Sequence, residues 1–358
     1  MTNMNNEENG KRVLEKAYQR LETLFGKNVD QAILDRLNEE VEWYEKNIGL
    51  AWVENVINLL EEKKKRGQLI ISRLWTTSSF LLYLLGGNSV NSLPAYHKCP
   101  HHHFFAWGKS QGGVCPECGE PLIEDGFGLD FIFFKDALGQ HKLNLNYLGK
   151  IEEKDDGMRI TFFPGPQAKE LLEEASRLGI TQEEVETDLN PKAFDKIVAF
   201  IQSGKRNAKV EPSLFPILMQ TKFRKLAQIS NAHDMDVLSE LAAATHGTGV
   251  IDAGKLLSST GELPLGYAFS RESLYRLLKG KRLGEEDAFS ITKDLYRING
   301  GGLSEENEAK LRTLNVEEEF ILALKGIRYL FFKGNQVAEI RLEMRIMEKL
   351  LLKYGPKF

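Results

Sequence analysis

All three cysteines of this 358-residue chain, and three of its seven histidines, lie between Lys98 and Gly119. The span reads Lys98-Cys99-Pro100-His101-His102-His103, then an aromatic-rich run, then Cys115-Pro116-Glu117-Cys118-Gly119. Cys99-x-x-His102 and Cys115-x-x-Cys118 are two chelating pairs, spaced as in tetrahedral Cys3His zinc sites. His102 has the best spacing, with His97, His101 and His103 as alternatives. Proline after the first cysteine of each pair, and Gly119 after the last, suit the tight turns of such knuckles. Four protein ligands leave no position for a reactive water, so the expected cofactor is one structural Zn2+ per chain. Set against this, a lone cysteine is ordinarily a small buried hydrophobe; the clustering of all three with histidines points to metal instead.

The length allows about two domains and a large core. A net charge of -4 gives no global attraction to nucleic acid, so any such contact must come from local patches. Cysteines committed to metal argue against a disulfide framework and for a reducing compartment. Residues 1–10 are polar and rich in Asn and Glu, and read as a disordered tail rather than a signal peptide. The most apolar run, Phe80 to Leu85, is too short to span a membrane.

Along the chain, apolar residues recur at helical spacing from Arg12 to Leu24, Val29 to Ile48 and Ala51 to Arg66. Gly67 reads as the residue that closes the third of these helices. Gln68 to Trp75 reads as a short strand, and Thr76-Thr77-Ser78-Ser79 as the capped start of a helix reaching Leu85. Hydroxyls at that helix start, beside Arg73, could hold a phosphate, although an ordinary cap is the commoner use. The alternation from Phe127 to Tyr147 predicts two paired strands around Leu138-Gly139-Gln140. After Pro164-Gly165-Pro166 the pattern becomes helical to the end, with a capping box at Thr181 to Glu184. The fold class expected is α+β. A first domain over 11–165 contains the zinc insertion at 93–125, and an all-helical domain follows over 166–358. Basic residues cluster in the second part: Lys205, Arg206 and Lys209; Lys222, Arg224 and Lys225; Arg276, Lys279, Lys281 and Arg282; Lys325, Arg328 and Lys333. Charge runs are usually solvated faces, but several in one domain also make a candidate phosphate-binding surface.

The motifs resemble, in order, those of PolC-type bacterial DNA polymerase III alpha chains. Leu93-Pro94-Ala95-Tyr96-His97-Lys98-Cys99-Pro100 and Cys115-Pro116-Glu117-Cys118-Gly119 resemble the entry and exit of that family's zinc insertion. Ile71 to Phe80 is similar to its palm loop, and Leu143 to Tyr147 falls where it carries catalytic aspartates. Thr245 to Val250, Lys325 to Lys333 and Met344 to Ile346 resemble parts of its fingers. The resemblance implies a polymerase-like palm with a zinc knuckle, followed by helical fingers. It implies a cytoplasmic bacterial protein with DNA and replisome proteins as partners. Ser72, Arg73, Ser78, Ser79, Lys325, Arg328 and Lys333 are the nucleic-acid-binding candidates it marks.

The departures from the family pattern carry the functional expectation. Ile71, Leu74 and Thr77 stand at the palm loop's glycine positions, and Lys142 and Asn144 replace two metal-binding carboxylates. Two-metal nucleotidyl transfer needs such a carboxylate pair. The sequence therefore reads as an inactive PolC-like protein, not an enzyme, that binds DNA or a replication protein. A protein-docking module that mimics the polymerase surface is the alternative. No nucleophile elbow or Walker loop stands out for other chemistry.

Overall fold

The computed structural model describes residues 2–110, 112–139, 144–148, 159–163, 166–187, 189–204, 215–230, 232–256, 270–281, 283–296 and 302–354. The chain is mixed α+β, mostly helical, with a small antiparallel sheet. It divides into two compact units, Met1–Leu172 with Thr181–Glu186, and Glu173–Ile180 with Thr187–Phe358.

The first unit opens with three helices, α1 (Thr2–Phe25), α2 (Gln31–Asn47) and α3 (Leu50–Lys65). Their apolar stripes meet: Val13, Ala17 and Leu21 of α1, Ile33, Leu37 and Tyr44 of α2, and Val53, Val56 and Leu60 of α3 share one buried core. Each fully buried aliphatic or aromatic side chain there contributes about 1.5–3 kcal/mol. Helix α1 already runs from Thr2, where the polar composition predicts a disordered tail. Strand β1 (Ile71–Arg73) is shorter than the pattern from Gln68 to Trp75 predicts. The chain instead enters a 3-10 turn, Leu74–Ser78, before the short α4 (Phe80–Leu84).

Three strands follow, β2 (Tyr96–Lys98), β3 (Phe105–Trp107) and β4 (Ile123–Asp125), in an antiparallel sheet of order β3-β2-β4. Tyr96 lies opposite both Trp107 and Asp125. Next come α5 (Ile132–Gly139), β5 (Asn144–Leu148) and β6 (Arg159–Phe163). Strand β5 pairs antiparallel with β1, Ile71 opposite Leu148, and parallel with β6. The expected hairpin over 127–147 is thus corrected. Its first half is α5, because Phe131 and Phe134 both turn into the core and stack at 5.3 Å, a spacing of three that only a helix provides. Helices α6 (Pro166–Arg177) and α7 (Gln182–Glu186) come next. The capping box before α7 forms reciprocally: Glu184 N donates to Thr181 Oγ1 at 3.2 Å, and Thr181 N to Glu184 Oε2 at 2.9 Å.

A fully buried carboxylate enters the core of this unit. Glu40 of α2 is fully buried, and its carboxylate accepts from Arg36 Nε at 2.6 Å, Phe80 N at 2.9 Å, Leu81 N at 3.0 Å and Ser79 Oγ at 2.9 Å. Arg36 continues to the carbonyls of Ser78 and Leu129, at 2.8 and 3.1 Å. A carboxylate from α2 therefore satisfies the orphan amides at the start of α4.

The second unit is helical: α8 (Pro191–Gln202), α9 (Thr221–Ile229), α10 (Met235–His246), α11 (Val250–Leu256), α12 (Arg271–Gly280), α13 (Glu285–Asp294), α14 (Glu305–Thr313), α15 (Glu318–Gly326) and α16 (Lys333–Tyr354). Helix α16 is central, with Ile340, Met344 and Met347 fully buried. Its Glu343 is buried too, and accepts from Ile217 N at 3.0 Å and Leu218 N at 2.8 Å. Among the described residues, no helix is long and apolar enough to cross a membrane.

Removing one partner of a buried charged network costs about 3–5 kcal/mol. Glu40→Ala is therefore expected to lower unfolding stability by about that amount in denaturant titration, since Arg36 and two amides lose their acceptor at once. Glu39→Ala, at an exposed ion pair with Lys135, should cost well under about 1 kcal/mol.

Candidate metal centre and nucleic-acid interface

The β2–β3 hairpin and the loop before β4 bring four ligands to one point. The donor atoms of Cys99, His103, Cys115 and Cys118 all lie within 4.8 Å of one another. Cys99 Sγ is 3.5 Å from Cys118 Sγ and 3.9 Å from His103 Nδ1. Zinc–sulfur bonds of about 2.3 Å set ligand-to-ligand edges of about 3.8 Å in a tetrahedron, so donor type and spacing both fit a four-coordinate metal.

Local geometry decides which histidine turns inward. Cys99 N donates to Phe104 O at 2.8 Å and closes the first knuckle, while His102 N donates to Cys99 O at 3.0 Å. His102 adopts φ 62, in the left-handed region. That turn places His103 in the cluster and His102 against Gly26, where a Cβ would come within 2.9 Å of His102 Cβ. Of the histidines the spacing left open, the structure brings His103 into the cluster and leaves the first choice, His102, outside it. In the second knuckle Cys115 N donates to Glu120 O at 2.7 Å, and Gly119 takes φ 75 to let its N reach Cys115 O at 2.9 Å.

Cys99 and Cys115 are buried, and His103 and Cys118 exposed. Burial pushes the Cys99 thiol up, but the main-chain N–H groups of His103 and His101 donate to its sulfur and bring it below the ordinary thiol range. A sulfur so prepared favours the thiolate that metals bind. Behind the knuckle, Asn91 Nδ2 donates to Asp125 Oδ2 at 2.6 Å and to Tyr96 Oη at 3.0 Å, tying β2 to β4. Tyr96 packs on Phe25 of α1 with ring centroids 5.4 Å apart.

The candidate phosphate loop is used internally. Ser72 is buried and its Oγ accepts from Ser89 N at 3.1 Å. Arg73 is partly buried. Ser78 is buried, with its Oγ unpartnered among the described residues. Ser79 caps α4, accepting from Leu82 N at 3.2 Å, and donates to Glu40. The position where an anion would meet the first amides of α4 already holds the Glu40 carboxylate. Leu74 sits at φ 51, a conformation that costs a non-glycine residue about 1–2 kcal/mol, at a point where the resembled loop has glycine.

In the second unit the structure joins two of the motifs. Thr248 N donates to Tyr329 O at 3.0 Å and Arg328 N to Thr248 O at 2.8 Å. Gly249 takes φ 79, and a Cβ there would lie 2.1 Å from Gly326 O, so the approach requires glycine. Of the candidate cations here, Lys325 pairs with Glu308 at 2.8 Å. Lys333 is buried against Asp236 and Glu240. Arg328 is exposed and has no ion-pair partner among the described residues. Arg224 is buried and donates to the Phe200 and Ile201 carbonyls, whereas Lys222 and Lys225 are exposed. Lys281 pairs with Glu317 at 2.7 Å and Lys279 approaches Glu285 at 3.7 Å. Lys142, Lys205, Arg206, Lys209 and Arg282 lie outside the described residues.

No family model matches the chain. Curated relatives do: it is 22% identical over 410 aligned residues, covering 80% of this chain, to "DNA polymerase III PolC-type" of Thermotoga maritima. Proteins of the same name from Halalkalibacterium halodurans and Oceanobacillus iheyensis are 29% and 30% identical, each over 38% of this chain. The chain spans 30% of the Thermotoga maritima relative's length and 10% of the other two. This distant homology supports the PolC-type DNA polymerase III family. It also overturns the expectation that the chain is not an enzyme. The relatives bear an enzyme's name, and of the two positions on which that expectation rested, Lys142 is outside the described residues and Asn144 is placed only as part of β5.

His103→Ala is expected to abolish stoichiometric metal retention, while His102→Ala leaves metal content unchanged, read by elemental analysis of purified protein.

Proposed function

We propose that this chain is a replication protein of the PolC polymerase type that binds DNA, with its palm-like part stapled by one zinc ion and working in the cytoplasm. The observation that carries the reading is the match over 80% of the chain to a PolC-type DNA polymerase III. The pairing of Thr248 with Tyr329 supports it, since it joins the two motifs that resemble the polymerase fingers. Cys99, His103, Cys115 and Cys118 would hold the zinc, and the three-sulfur, one-nitrogen donor set favours that ion over magnesium or calcium. In this reading the metal organises the fold around β2 and β3, and the contacts to DNA phosphates come from exposed cations. Arg328 is the first of these, with Lys222 and Lys225 on α9 as further candidates.

A second reading, docking on another replication protein, is favoured by one observation. Lys325, Lys333 and Lys281 already have carboxylate partners within the chain, which leaves fewer charges for phosphate. Fluorescence anisotropy with primed DNA at two salt concentrations separates the two. DNA binding through cations must weaken steeply with salt, and Arg328→Glu should reduce both affinity and the salt slope by about one phosphate contact. Absence of binding even at low salt would contradict the DNA reading. Nucleotide incorporation on the same primed template decides whether the chain carries the activity in its relatives' name.

A further inference from the structure

Three carboxylates, from Asp236, Glu240 and Glu272, meet at the start of α16. Asp236 and Glu240 face Lys333 from one side of α10, with Glu240 Oε1 3.4 Å from Lys333 Nζ. From α12 comes Glu272, fully buried, whose Oε2 accepts from Lys333 N at 2.9 Å. Ser270 and Ser273 donate to Glu240 Oε1 at 3.1 and 2.5 Å. The second cation is Arg271. It donates to Leu330 O at 2.7 Å and Tyr329 Oη at 3.1 Å, and its guanidinium lies 3.9 Å from the Tyr296 ring centroid and 4.0 Å from that of Phe332. His246, at the far end of α10, stacks on Phe331 instead. Two buried carboxylate oxygens, Glu240 Oε2 and Glu272 Oε1, accept no hydrogen bond among the described residues.

An ionised Glu272 would bury a negative charge with one oxygen unpartnered among the described residues, which is costly. One proton balances it. We propose that this cluster is a proton-operated latch on α16, closed while Glu272 carries a proton and loosened when that proton leaves. Glu272 is the group that takes it: it is the most buried of the three, and it lacks a cation on its free oxygen. Burial, with Glu240 adding to it, pushes the Glu272 carboxyl up to about 7, against the opposing pull of the Lys333 amide. The folded chain therefore holds a proton that the unfolded chain releases near the ordinary glutamate range. The stabilisation this confers is complete at acidic pH and is lost as pH rises toward and through about 7. Above that, the added charge draws water toward the first turn of α16 and the Lys333 clamp.

Hydrogen exchange on the full chain tests this, read on the peptide that covers the first turns of α16 and corrected for intrinsic chemical rates. Between pH 5 and 9 the corrected rate should rise by up to about tenfold per pH unit below about pH 7 and level off above it. Glu272→Gln should remove the rise. Glu240→Gln should bring the levelling-off to lower pH, because Glu240 helps to hold the Glu272 proton, and it serves if the first variant fails to fold. Glu343→Gln is the control: Glu343, pushed up to about 8 by burial, caps a different segment and should leave the rise intact. A flat wild-type profile, or a rise that persists in Glu272→Gln, would overturn the latch.

Discussion

Buried carboxylates that receive main-chain amides hold this chain together. Glu40 takes the amides of Phe80 and Leu81, Glu343 those of Ile217 and Leu218, and Glu272 that of Lys333. Burying a carboxylate is expensive unless hydrogen bonds replace its water: Glu40 receives them on both oxygens, whereas burial pushes Glu272 and Glu343 up toward the neutral form. The bonds are also long-range in sequence, so each fixes where a distant segment enters its unit. One consequence is functional. The amides that begin α4, where an external anion would otherwise sit, are occupied from within.

The metal centre depends on the same first unit. Its knuckles hang from β2 and β3, and that hairpin is seated on α1 through Tyr96 against Phe25 and His102 against Gly26. Polar contacts among Asn91, Tyr96 and Asp125 tie β2 to β4 beside the knuckles.

The amphipathic helices, the capping box at Thr181 to Glu184 and three of the four residues of the Cys3His cluster were legible from residue pattern alone. Local chemistry determines each of these. His103 was not legible, because the choice between neighbouring histidines turns on the backbone at His102 passing through φ 62. Helix α5 was misread as strand, since Leu129, Phe131 and Phe133 alternate while the contact that matters is Phe131 on Phe134. Glu40 was invisible for another reason. An isolated glutamate on an amphipathic helix reads as a solvated charge, and only the tertiary fold brings Arg36, Ser79 and two amides around it. Arg224 went the same way: counted among basic surface residues, it is buried and donates to two carbonyls.

We propose that nucleic acid meets the paired segments around Thr248 and Tyr329, with Arg328 exposed beside them, and not the serine-rich turn before α4. Hydrogen-exchange protection on adding primed DNA to the full chain tests that placement most directly. Protection over residues 245–250 and 325–333, with none over 78–82, is the predicted result. Protection centred on 78–82, or none anywhere at low salt, would contradict it.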